Sequence, residues 1–364
     1  MILIVITARP SYARVQTVLS ALESGSYGVI TAGSAVLDRY GCVSEEIAQS
    51  HPVVESIPSV IEGNRLETSA QETGLLTMQL ARVFARLKPE IVVTIADRHE
   101  TLATAIAASY QHIPLMHLQG GETTGSIDDK VRHAVSQLAD WHCVATSQAG
   151  QRLITRRESV DVYVTGCPST DLAQQAFSAP PVTSLPGVGS EIYLQHRFGI
   201  VLHHSVTSEV DQSFDQTTLV IRAAAAEGLP LVVFWPGQDA GADWGAKALR
   251  LFRDQHQHVA LRFVRHVPAP IFLRLLTQAA VLIGNSSAGI REGSYLGLPV
   301  VNIGNRQKGR ERAGNVIDVE YDERSIRAAM QTQIHHLSYP ASQLYGDGEC
   351  GPRIAGILTA LASR

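Results

Sequence analysis

Ile91-Val-Val-Thr-Ile-Ala-Asp-Arg-His-Glu100 carries the clearest mark of the architecture. A continuous apolar run ends abruptly, and Asp97, Arg98, His99 and Glu100 follow at once. A strand with one wet face alternates apolar and polar residues, whereas an unbroken run is buried on both faces, as in a parallel sheet covered by helices. Similar short runs recur at Ile2–Ile6, Pro114–Leu118, Ile200–Leu202, Leu231–Phe234, Val281–Ile283 and Val300–Ile303. Between them lie helix candidates at Glu67–Leu87, Ser126–Ala139, Gln216–Glu227 and Pro268–Ala279. The predicted fold class is α/β. Pro10, just past the first strand, suits the first position of a helix, and Ser126 with Asp129 three residues on reads as a capping box.

The chain has 364 residues, enough for roughly two domains of about 150 residues each. Hydrophobic residues make up 45% and charged residues 18%, so two cores can be filled and wholesale disorder is excluded. Ser178–Ser190 (SAPPVTSLPGVGS) breaks the α/β rhythm with prolines, glycines and serines and reads as the interdomain linker. We expect a Rossmann-like domain over 1–180, a second over 190–350, and a C-terminal helix over 351–364 that packs back on the first. Two such sheets facing each other would present their carboxyl ends to one cleft, where open α/β sheets take ligands.

A formal charge of -4 argues against a general nucleic-acid or acidic-membrane binder. The longest stretch without Asp, Glu, Lys or Arg, Thr101–Gly121, contains Gln111, Pro114, His117 and Gln119, so no transmembrane helix is expected. The amino terminus reads as a buried strand and not as a signal peptide. Cys42, Cys143, Cys167 and Cys350 are isolated in sequence, which indicates neither a disulfide framework nor a cysteine zinc site. The expectation is a reduced cytoplasmic enzyme.

Chemistry should lie in the loops after the strands. Arg9, where the first strand becomes a helix, either binds a phosphate or pairs with a surface carboxylate. Asp97 either protrudes into a cleft or caps the next helix. The densest segment is His117-Leu-Gln-Gly-Gly-Glu-Thr-Thr-Gly-Ser-Ile-Asp-Asp-Lys-Val-Arg-His133, where Asp128 and Arg132 share a helix face and Gln119, Glu122 and His133 have no simple structural role. In the second half His204, in Val201-Leu-His-His-Ser-Val-Thr207, is an acid/base candidate or a histidine satisfied by backbone carbonyls. At Leu282-Ile-Gly-Asn-Ser-Ser-Ala-Gly-Ile-Arg-Glu292 a strand meets a helix start at Ser286 and Ser287, a setting for an anion, and Glu292 one turn later suits a pair of sugar hydroxyls. The basic run Arg306, Lys308, Arg310, Arg312 either guards phosphates or forms a solvated loop. Neither GxGxxG, a P-loop nor GxSxG is present, and no third ligand accompanies His203 and His204, so no cofactor and no metal are expected.

Arg9-Pro-Ser-Tyr-Ala-Arg14, the Asp97-Arg98 turn, the HLQGGETTGSIDDKVRHA block and the GNSSAGIREGSYLGLPVVNIGNRQKGRERAGNVIDV block, in that order, resemble the hydrolysing UDP-N-acetylglucosamine 2-epimerases. The resemblance spans nearly the whole chain and implies two Rossmann-like domains in the glycosyltransferase-B arrangement. It implies UDP-N-acetylglucosamine as substrate, anti elimination of UDP to a 2-acetamidoglucal, and addition of water to give N-acetylmannosamine, as in sialic acid or cell-surface polysaccharide synthesis. By the same resemblance Asp97 and Asp128 are catalytic, and His204 approaches the diphosphate and sugar. Arg9 would contact the diphosphate, Arg132 and His133 the sugar, Ser286 and Ser287 the phosphates, and Glu292 the ribose. Relatives are often dimers or tetramers, so a homo-oligomer is expected.

The chain departs from the family at Gln119, where many members carry a glutamate. An amide cannot shuttle a proton, so that role is absent or passes to Glu122. A hydrolysing epimerase for a related UDP sugar, such as UDP-2,4-diacetamido-2,4,6-trideoxyglucose, or a non-hydrolysing epimerase would share almost every motif. A glycosyltransferase of the same fold and a nucleotide-sugar sensor are the alternatives from other classes.

Overall fold

A computed structural model describes residues 1–63, 65–125, 127–156, 161–237 and 239–363. Its chain divides into two units, one of Met1–Glu122, Ile127–Asp171 and Tyr345–Arg364, the other of Thr123–Ser126 and Leu172–Leu344. The boundaries thus fall at 171/172 and 344/345, where the sequence pattern predicts 180–190 and 351.

In the first unit the described residues form β1 (Ile2–Ile6), β2 (Tyr27–Ala32), β3 (Val53–Ile57), β4 (Ile91–Ile95), β5 (Leu115–Leu118), β6 (Trp141–Val144) and β7 (Asp161–Val164). They make one parallel sheet in the order β3-β2-β1-β4-β5-β6-β7. The unbroken apolar runs serve both faces. Ile2, Ile4 and Ile6 join Val29 and Val93 in one cluster, while Leu3 and Val5 join Val92, Leu76, Leu80 and Phe84 in the opposite one. Each such side chain contributes roughly 1.5–3 kcal/mol on burial.

The helix Cys350–Ala362 closes the first face through Ile354, Leu358 and Leu361. Asp171 anchors its start, accepting from Cys350 N (2.9 Å), Gly351 N (2.6 Å) and Thr17 Oγ1 (2.9 Å). At Gly351 an added Cβ would lie 2.2 Å from Thr17 Oγ1, so the helix sits this close only because the residue is glycine.

The second unit contains β8 (Val188–Gly189), β9 (Gly199–Leu202), β10 (Leu231–Phe234), β11 (Leu261–Val264), β12 (Val281–Gly284), β13 (Val300–Ile303) and β14 (Val316–Val319), in the order β14-β13-β12-β9-β10-β11-β8. The two-residue β8 is antiparallel to β11. Ser178–Ser190 is therefore more than a linker. It supplies an edge strand, and the Gln278 amide binds Val182 at N (2.8 Å) and O (3.1 Å). Helices Ser213–Ala225, Ala242–Gln255 and Glu323–His336 contribute Val220, Leu249, Phe252, Ile326 and Met330 to the core.

In both sheets the strand order reverses beside the first strand, between β1 and β4 and between β9 and β12. Crevices at the carboxyl ends of such switch points are where open α/β sheets bind ligands. Among the described residues no helix is long and apolar enough to cross a membrane. Ser126 lies outside the described residues, so its capping role does too.

Candidate active site

In the first unit two neighbouring strands end in left-handed residues. Ala96 has φ 71° and Gln119 φ 67°, a conformation that costs a side-chain-bearing residue roughly 1–2 kcal/mol. Hydrogen bonds hold both. Ala96 N donates to Leu118 O (2.9 Å), Gln119 N donates to Cys143 O (2.8 Å), and His117 Nε2 donates to Ala96 O (2.8 Å). The turn at Ala96 directs Asp97 out of the sheet, and strain of this kind concentrates at functional sites.

Arg132, only 1% exposed, pairs with Asp97 and with Asp129 (2.5 Å), and its Nη1 donates to Glu122 O (2.8 Å). Burial alone would lower the guanidinium's pKa, but Asp97, Glu122 and Asp129 outweigh it and leave the pKa raised. The result is a permanent buried cation within a set of carboxylates. The helix Ile127–Leu138 places Asp129, Arg132 and Ser136 toward this cluster. Ser136 Oγ meets His117 Nδ1 at 3.1 Å. Burial drives His117 down to about 4, so it is a neutral strut between the helix and the Ala96 turn. Asp128 and His133 are half-buried on the same helix. Burial, then the Arg156 charge, lowers the His133 pKa. Asp129, which the sequence reading assigned to capping, is the i,i+3 partner of Arg132. The three-residue spacing was the signal that could have found it.

Gln119 is buried, and its Nε2 donates to Cys167 Sγ (2.9 Å), which is 2.9 Å from Ser169 Oγ. Arg9 heads the helix Arg9–Ala13, but its guanidinium binds Glu46 (3.1 Å) and Gly41 O (2.7 Å). Of its two sequence readings, carboxylate pairing is the one this geometry displays. Arg98 pairs with the buried Glu100 (3.1 Å).

In the second unit the loops after β9, β12 and β13 are tied together. The Asn285 amide accepts from His204 N and donates to His204 O, both at 2.8 Å. Asn285 O accepts from Arg306 Nη1 (3.1 Å) and Gln307 Nε2 (3.0 Å). His204 is half-buried, whereas His203 is buried against Tyr321 OH (2.9 Å) and Thr217 Oγ1 (3.3 Å), and burial lowers its pKa to about 3. Ser286 caps a helix of only four residues, Ser287–Ile290, by accepting from Ala288 N (3.3 Å). That corrects the expected dipole contribution, because so few aligned peptides sum to little; the two hydroxyls remain. Glu292 Oε2 is buried with no hydrogen-bond partner among the described residues, as a carboxylate awaiting donors would be.

The basic run is mostly structural. Arg306 holds Asn285, Arg312 binds Asp318 (3.0 Å) and Gln307 O (2.8 Å), Arg310 is buried, and Lys308 is exposed. It is not the solvated loop that its charge pattern suggests. Among the described residues Asp38, Cys42 and Glu45 could hold a metal, but two of them are exposed and such acidic groupings are common without an ion.

The profile of the UDP-N-acetylglucosamine 2-epimerase family matches residues 24–359. The chain belongs to this family. One epimerase relative, the UDP-N,N'-diacetylbacillosamine 2-epimerase (hydrolyzing) of Legionella pneumophila, is 32% identical over 99% of this chain and 96% of its own. The UDP-N-acetylglucosamine 2-epimerase of Neisseria meningitidis is 25% identical over 96% of this chain and 91% of its own. The UDP-GlcNAc 2-epimerase of Methanocaldococcus jannaschii, solved with UDP-GlcNAc and UDP, shares the fold with a TM-score of 0.80 at 18% identity, covering 99% of each chain. In this epimerase-family chain the sequence reading had singled out Asp97, Arg132, His204 and Glu292. It passed over Asn285 and Cys167, which act on His204 and Gln119 from the ends of other strands and have no local pattern to betray them, and Glu100, which pairs with Arg98 only two residues away.

Proposed function

We propose that the chain is a hydrolysing 2-epimerase of a UDP-2-acetamido sugar. The observation that carries this reading is the Asp97–Arg132 pair at the end of β4, with Glu122 and Asp128 nearby in sequence on the adjoining loop and helix. A carboxylate there removes the C2 proton, the C1–O bond breaks, and UDP leaves. The resulting 2-acetamidoglycal takes hydroxide at C1 and a proton at C2 from the face opposite the one that lost it. A positioned acid or base contributes roughly 10²–10⁴-fold to such a step. Arg132 fixes Asp97, and Glu122 and Asp128 provide the second acid/base group. Gln119 does not, since its N–H already serves Cys167. In the second unit His204, Ser286 and Ser287 receive the diphosphate, and the unpartnered Glu292 Oε2 receives ribose hydroxyls.

For the sugar, the reading best supported is UDP-N,N'-diacetylbacillosamine, a UDP-2,4-diacetamido-2,4,6-trideoxyglucose, because the Legionella relative is more similar over the full length than the Neisseria one. UDP-N-acetylglucosamine, giving N-acetylmannosamine, is the second reading, favoured by the family description and the Neisseria relative.

Incubation with both UDP sugars in heavy water, followed by NMR, tests class and substrate together. The expected result is UDP, a free manno-configured sugar and one deuterium at C2, faster from the diacetamido substrate. An intact UDP-manno sugar as sole product would place the chain with the non-hydrolysing epimerases. Transfer to an added acceptor without C2 exchange would overturn the epimerase reading.

A further inference from the structure

Among the polar side chains that the proposed mechanism leaves unused, Asn285 is fully buried and makes an unusually directed set of bonds. Its amide closes on both backbone groups of His204, and its own N–H reaches Leu202 O at 3.3 Å. These bonds extend the β9–β12 pairing one residue beyond Gly284 and Leu202, using a side chain in place of a strand. The backbones approach so closely that a Cβ on Gly284 would lie 2.1 Å from Leu202 O. Arg306 and Gln307, from the loop after β13, fasten Asn285 from the other side.

Fixing both N and O of one residue fixes the frame of its Cα and hence the direction of its Cβ. His203 is held independently by Tyr321 and Thr217, so the chain cannot rotate on that side. Only a short amide offers a donor and an acceptor in one plane at this reach. A carboxylate lacks the donor, and an alkyl group lacks both.

We propose that Asn285 is a positioning residue that sets the direction of the His204 imidazole in the reaction. The proposal rests on the reading of His204 as a group that meets the substrate. Displacement of a reacting group by about 1 Å can cost roughly 10²-fold in rate.

The test compares kcat for UDP release from the two UDP sugars in Asn285→Asp, Asn285→Ser, His204→Ala and the two double variants, with thermal unfolding and UDP affinity measured in each. Both Asn285 variants should lower kcat by up to about 10²-fold while UDP still binds. In the His204→Ala background neither should lower it further, because nothing remains to be aimed. Asn285→Ser carries the comparison alone if the buried carboxylate of Asn285→Asp prevents folding. A full additional loss in the double variants would overturn the positioning role and leave His204 in the mechanism. Wild-type kcat in His204→Ala would overturn the assignment of His204, and the positioning of it as well.

Discussion

Asp97 and Arg132 are 35 residues apart, yet one buried guanidinium joins them. Their pairing sets the most direct expectation of activity. Asp97→Asn should lower kcat by about 10²–10⁴-fold while UDP affinity, measured by calorimetry, stays near wild type. Arg132→Leu should cost more in folding, because it strands Asp97 and Asp129 beside a buried methyl group. Breaking a buried pair typically costs about 3–5 kcal/mol, and urea unfolding would measure it. At this scale the sequence was a good guide to residue type and a poor guide to partner. Asp128 stands four residues before Arg132 on the same helix face, and Asp129, at three, is the partner that helical spacing also offered and that meets the guanidinium. Arg9 suited a phosphate by position and bonded Glu46 and Gly41.

Elements were legible where total burial went with an unbroken apolar run; β2 (Tyr27–Ala32) is as deeply buried but holds Gly28 beside Tyr27, and the sequence reading passed over it. The runs at β1, β4, β10 and β13 coincide with their strands, since an apolar run covered on both faces has no other economical conformation. β3 and β14 escaped notice because each mixes partly exposed positions with Glu55 or Asp318. β6 and β11 carry His142 and Arg262 inside otherwise apolar segments. The returning C-terminal helix was expected, but its anchor was not. Asp171 receives two backbone N–H groups and a hydroxyl there, and hydrogen bonds to a charged acceptor contribute about 1.5–3 kcal/mol each at most. Asp171→Ala should therefore lower stability by about 2 kcal/mol. Hydrogen exchange should show faster opening of Cys350–Ala362 than of β1 or β4. Equal protection of helix and sheet in that variant would mean that the helix is held by Ile354, Leu358 and Leu361 alone.

For the whole molecule, one buried histidine in each unit links stability to pH. His117 and His203 have pKa values lowered by burial to about 4 and about 3, below an ordinary value near 6.5. Between those limits the unfolded chain binds more protons, so stability is fully present above about pH 6.5 and declines as the pH falls toward 4 and then 3. Urea midpoints measured from pH 7 to pH 4.5 should fall, and His117→Gln or His203→Gln should flatten the decline. Local pattern and motif order in the amino-acid sequence were enough for the α/β class, the two units, the family and the choice of loops to search for chemistry. Those follow from local hydrophobic runs and from which residue types stand just past them. It took the folded chain to show that Arg132 joins Asp97 to Asp129, that Gln119 faces Cys167, and that Asn285 grips His204 from 81 residues away. Such partners are set by strand order and register, which bring distant loops to one end of a sheet, and no local period along the chain encodes them.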